Sequence, residues 1–135
     1  MINPNWKTIG FQANNPRTDF RGGGILSLMC LVFLVENYPT QWEEMVASGS
    51  DESKMWLLAI SSINITHNLI VYFHMHDYEV PEHYKKVVAG RAQFKKFCHL
   101  NYITKKAFFE LHRFALMHLH YEWLILVKHS GKPVP

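Results

Sequence analysis

Hydrophobic residues in this chain come in long blocks rather than in alternation with polar ones. From Ile25 to Val35 only Ser27 interrupts an apolar run, and eleven residues is about the length at which a helix is preferred over a strand. A helix apolar on every side sits inside a domain with other helices wrapped over it. The pattern therefore predicts a buried central helix over about Ile25–Asn37. Gly22-Gly23-Gly24 keeps its start from reaching further back. Tyr38-Pro39 ends it, because the residue before a proline avoids the helical region.

The remaining blocks follow the same period. Thr40 can cap a short helix from Gln41 to Ala47, and Ser48-Gly49-Ser50-Asp51 reads as a loop. A long helix is predicted from about Glu52 to His74. Its β-branched residues Ile60, Ile63, Ile65, Thr66, Ile70 and Val71 favour a strand locally, but some twenty residues is too long for one. Asp77 to Pro81 is a loop, Glu82 to Val88 one or two helical turns, and Ala92 to Leu100 a short amphipathic piece. Thr104 can cap a last long helix, Lys105 to about Lys128, with Phe108, Leu111, Ala115, Leu119 and Leu126 on one face. No period-two segment is bounded by hairpin turns, so the expected fold class is all-α, a single helical domain.

Composition narrows the function classes. At 48% hydrophobic and 14% aromatic residues the chain has ample material for a core. A net charge of +3 gives no ground for a nucleic-acid partner. With no signal peptide, Cys30 and Cys98 read as reduced, buried thiols of a cytoplasmic protein. The nine histidines lack metal-ligand spacing: His74 and His76 lie on different helix faces, His112, His118 and His120 contain no i, i+4 pair, and no H-E-x-x-H occurs. No G-x-S-x-G and no phosphate-cradling G-x-x-x-x-G-K is present. No metal or other cofactor is expected.

Two features carry charge in a pattern. Lys85, Lys86, Arg91, Lys95, Lys96, Lys105 and Lys106 follow one another with no acid among them. The plainer reading is a solvated face; the functional one is a weak contact with an anionic membrane or an acidic partner. Arg21 stands alone before three glycines, at a helix start where a cation is mildly unfavourable. Either it is a structural salt bridge to Asp19 or Glu36, or its rigid, always-charged fork is kept for phosphate oxygens.

The stretch W-K-T-I-G-F-Q-A-N-N-P-R-T-D-F-R-G-G-G-I-L-S-L, Trp6 to Leu28, resembles the signature of the ELMO (engulfment and cell motility) domain. It is most similar to the ELMO-domain-containing branch, whose pattern runs W-x-x-I-G-F-Q-G-x-x-P-x-T-D-F-R-G-x-G-x-L-G-L. Ala13 and Ser27 stand where that pattern has glycines. The likeness continues more loosely to the last helix. The family domain has further helical sequence before this motif, so the expectation is an ELMO-like domain over 1–135 lacking its N-terminal part. The resemblance implies an all-α fold and GTPase-activating activity toward small GTPases of the ARF and ARF-like group, with Arg21 as the arginine finger. It also implies that Trp6, Gly10, Phe11, Gln12, Asp19, Gly22 and Gly24 support the loop or touch the GTPase. The other branch of the family lacks this arginine and is a scaffold in a Rac exchange-factor complex. The alternative is accordingly a non-catalytic module that docks a GTPase or a scaffold protein.

Overall fold

A computed structural model of the chain describes residues 5–130, apart from the side chain of Arg21. The described residues form six α-helices: α1 (Asn5–Thr8), α2 (Gly24–Asn37), α3 (Pro39–Ser50), α4 (Leu58–Tyr72), α5 (Arg91–Ile103) and α6 (Ala107–Ser130). Short 3-10 turns occur at Pro16–Thr18, Arg21–Gly23 and Glu82–Lys85. The described residues are all-α.

Three buried clusters make the core, and α2 and α4 contribute to each. Leu34 and Leu58 meet Met45, Trp56 and Leu116. Leu31, Ala59 and Ile63 meet Phe11. Cys30 and Ile70 meet Phe108. A fully buried leucine such as Leu34 or Leu116 contributes roughly 1.5–3 kcal/mol relative to its exposed state. Burial also drives the Cys30 thiol up to about 11, so it stays protonated and unreactive. Cys98 differs from expectation: it is free and exposed on α5, a helix with no buried residue at all.

The predicted helix over Ile25–Asn37 is present as α2, but it is not enclosed. Ile25, Met29, Val32 and Val35 are 45–71% exposed along its outer side. α4 is the more enclosed element, touching α2, α3, α6, the Arg21–Gly23 turn and the Glu82–Lys85 turn. The reason is the set of neighbours. α2 pairs with α3, α4 and α6 over one side, and no further helix among the described residues reaches the other.

The boundaries of α3 and α4 move from those predicted, each for a local reason. Pro39 does not merely end α2; it opens α3 at the first helical position, where its missing N–H costs nothing. α3 then runs through Ser48-Gly49-Ser50, with Ser48 and Ser50 hydroxyls donating back to the carbonyls of Glu44 and Val46. α4 starts at Leu58 rather than Glu52, because Asp51 accepts from the Ser53 amide (3.0 Å) and hydroxyl (2.6 Å) and Met55 takes a left-handed φ of 49°. At its other end α4 stops at Tyr72, where the His74 amide donates to Val71 and the Met75 amide to Ile70, with His74 at φ 56° in the position glycine usually takes.

The buried face of α6 also differs. It carries Phe108, His112, Leu116 and His120, while Leu119 and Leu126 are 42% and 50% exposed. Two histidines lie in the true stripe, so hydrophobicity alone points one position off. His120 Nε2 lies 2.8 Å from Ser48 Oγ, and His112 is bonded to Ser62 on α4.

Candidate functional site

Residues 5–23 form an irregular segment held from within. Trp6 on α1 is half-buried and meets Phe11 edge-on at 5.4 Å. Phe11, 3% exposed, meets Phe20 edge-on at 5.9 Å and packs with Leu31, Ala59 and Ile63. Edge-to-face rings of this kind add about 0.5–1.5 kcal/mol beyond the area they bury. The backbone is fastened at two further places. The Ala59 amide donates to the Ile9 carbonyl at 2.9 Å, so the segment runs against the first turn of α4. Gly10 sits in that joint at φ 92°, and a Cβ there would stand 2.6 Å from the Leu58 backbone nitrogen. Only glycine meets both conditions.

Asp19 closes the segment. Its side chain is 3% exposed, and Oδ2 accepts the Gln12 amide at 3.0 Å across seven residues. Asn15 caps the 3-10 turn between them, accepting from the Arg17 amide at 3.1 Å. Gln12 takes part through its backbone; its side chain is exposed.

The chain then enters the Arg21–Gly23 turn and α2. The Gly24 amide donates to Phe20 at 3.0 Å, Gly24 holds φ 51°, and Gly22 and Gly24 are both exposed. The start of α2 has no side-chain cap and no acid in its first turn. The Arg21 side chain lies outside the described residues. The turn rests on α4 and is covered by the loop after it. Tyr78 Oη donates to the Gly22 carbonyl at 3.3 Å, and His67 Nδ1 lies 3.3 Å from the same hydroxyl. Burial lowers the His67 basicity, helped by nearby His76, and burial raises the Tyr78 phenol together with Asp77.

Two other surfaces stand out. Of the seven basic residues from Lys85 to Lys106, Lys85 pairs with Glu82 at 3.0 Å, and all seven are exposed. Beside the bare side of α2, Leu28, Met29, Val32, Phe33, Glu36 and Phe109 line an open groove of about 290 Å³.

The fold thus gathers Trp6, Gly10, Phe11 and Asp19 under the segment and leaves Gly22 and Gly24 on its outside. Glu36 is at the far end of α2, more than three helical turns from Arg21. His67 and Tyr78 are the additions that sequence reasoning did not supply. They lie 45 and 56 residues from Gly22 in the chain, with no periodicity connecting them to it.

The chain is 33% identical over 113 residues to ELMO domain-containing protein 2 of Homo sapiens, covering 81% of this chain and 38% of that protein. ELMO domain-containing protein 2 of Mus musculus is 40% identical over 65 residues, 48% of this chain and 22% of that protein. ELMO domain-containing protein C of Dictyostelium discoideum is 26% identical over 121 residues, 90% and 19%. The chain therefore spans well under half the length of these curated relatives. No solved structure matches. Residues 1–130 match the ELMO/CED-12 family, and with the braced segment from Trp6 to Leu28 read as one unit, the chain belongs to that family.

Proposed function

We propose that this chain is a GTPase-activating domain for a small GTPase of the ARF/ARF-like group and that Arg21 is the group it supplies in trans. The observation that carries the reading is the placement of Arg21 in T-D-F-R-G, on a turn flanked by the exposed Gly22 and Gly24. The glycines let a partner's backbone come close. In the reaction a water oxygen bonds to the γ-phosphorus of GTP, the bond to the β–γ bridging oxygen breaks, and GDP and phosphate leave. Negative charge builds on the transferring oxygens and the leaving oxygen. A guanidinium there stabilises the transition state more than the ground state, an effect on the order of a thousand- to a hundred-thousandfold. In this proposal Trp6, Gly10, Phe11, Gln12 and Asp19 hold the segment, while Gly22 and Gly24 lie against the GTPase. The domain works in the cytoplasm, peripheral to membranes through its partner, with the exposed cations from Lys85 to Lys106 giving a weak contact with anionic lipid.

The test is single-turnover GTP hydrolysis by a panel of purified ARF and ARF-like GTPases, with the parent chain, Arg21→Lys and Arg21→Ala, beside thermal melts of each. Lysine keeps the charge and loses the planar fork. The expected result is acceleration by the parent, a loss on the order of a hundredfold or more in both variants, and unchanged melting. A lysine variant that activates as well as the parent overturns the finger. A parent that binds a GTPase without accelerating it identifies a docking module instead.

A further inference from the structure

We infer that Tyr78 and His67 are positioning residues for Arg21: they clamp the Gly22 carbonyl and so fix the turn that carries Arg21. The inference rests on the arginine reading above. A cation that must meet a phosphoryl group needs a fixed origin, since misplacement by about 1 Å can cost on the order of a hundredfold in rate. The sequence gives Arg21 the opposite, a neighbour run of three glycines, the residues with the most backbone freedom to lose. Something outside the run has to hold it.

The hydroxyl of Tyr78 does so from the loop after α4. Its one proton goes to the Gly22 carbonyl, so the His67 contact at 3.3 Å is a donation from Nδ1–H into the phenol oxygen. The two form a relay from α4 through the loop to the turn. Rings set the relay in place: His67 stacks on Tyr78 at 6.3 Å with 16° between planes, and forms a T-shaped pair with Tyr84 at 5.1 Å and 87°. His76 Nδ1, 3.0 Å from the Tyr78 carbonyl, fastens the loop at the tyrosine's own backbone.

The space at Gly22 agrees with this. A methyl group there would stand 2.5 Å from Tyr78 Oη and 2.6 Å from His67 Nδ1. The clamp closes on this residue because it has no side chain. Gly22 is exposed and its substitution would meet only side-chain ends there, so core packing does not explain the glycine; the relay does.

The experiment uses Tyr78→Phe, which keeps the ring and removes the hydroxyl, His67→Gln, which keeps an N–H donor, and Gly22→Ala, which pushes both rings away. Amide hydrogen exchange at Gly22–Gly24 is read beside single-turnover hydrolysis. Tyr78→Phe and Gly22→Ala are expected to raise exchange at these amides on the order of tenfold and to lower the maximal rate roughly ten- to a hundredfold. For Tyr78→Phe the half-saturating concentration and melting temperature stay as in the parent, and His67→Gln keeps most of the rate. If the parent activates, Arg21→Lys abolishes activation, and Tyr78→Phe matches the parent in rate, the clamp is overturned. A parent that activates no GTPase defeats the arginine reading instead. The clamp is then decided on exchange alone, and unchanged exchange in both Tyr78→Phe and Gly22→Ala overturns it.

Discussion

Acid should loosen this domain through His112 before it touches the carboxylates. The imidazole is fully buried on α6, with Nε2 3.1 Å from the Ser62 carbonyl and 3.0 Å from Ser62 Oγ. A carbonyl only accepts, so Nε2 carries the proton. Nδ1 is then bare, and it has no partner among the described residues. Protonation would place a charge and an unanswered N–H in the core. Burial accordingly pushes the group down to about 4 from 6.5. The unfolded chain takes up its proton near pH 6.5 and the folded chain holds it off until about 4. Stability is thus intact above pH 6.5 and is lost as pH falls through that window. At about 1.4 kcal/mol per pH unit the full loss is about 3 kcal/mol. About 2 kcal/mol of it has gone by pH 5, or roughly 7 °C in Tm for a chain of this size. Urea unfolding of the parent and His112→Leu at pH 7 and pH 5 isolates the effect from other titrating groups. At pH 7 the leucine variant should lie within about 1 kcal/mol of the parent, the worth of one hydrogen bond. Between the two pH values it should lose about 2 kcal/mol less. Equal losses in the two proteins would refute the assignment, because they would mean that His112 charges in the folded state as easily as in the unfolded one.

Two further outcomes test the segment and the surface. Gly10→Ala combines a left-handed φ with a Cβ driven into the Leu58 backbone, and should cost about 3 kcal/mol; a Tm within 2 °C of the parent, where roughly 10 °C is expected, would mean that the joint opens freely. Reversing Lys95 and Lys96 to glutamate should weaken binding to anionic vesicles roughly tenfold at low salt, with the difference shrinking as salt screens the charges; unchanged binding at low salt returns these lysines to a solvated face.

Where the sequence was legible, one local signal had no competitor. The ends of α2 are set by a glycine run and a proline, and both fall where the pattern puts them. Length over β-branching was the right ground for reading α4 as helix. Its start was misplaced because an Asp51–Ser53 turn competes with helix only through side-chain hydrogen bonds, which periodicity does not register. The face of α6 was misread because His112 and His120 count as polar in a pattern although their neutral rings are buried beside Ser62 and Ser48. At the candidate site, the motif from Trp6 to Leu28 carried the brace of Phe11, Gly10 and Asp19. The tie from Tyr78 and His67 to Gly22 joins distant parts of the chain by geometry alone.

The joint between Ile9 and Ala59 has a consequence for the order of assembly. Residues 5–23 have little regular structure of their own, and besides the packing of Phe11 on Leu31 of α2 their fixed points lie on α4 and beyond it, fifty residues away at Ala59 and fifty-six at Tyr78. Closing a loop of that span costs about 3.5 kcal/mol in chain entropy before any contact repays it. Helices α2 and α4 meet over about half that span, as between Leu34 and Leu58, so their surface is expected to form first. The N-terminal segment docks late, as an arm onto a finished wall, and it is the first part to lift off. Under the proposed function, a rise in temperature or denaturant that frees the arm ahead of the helices is expected to lower activation before the cooperative melt.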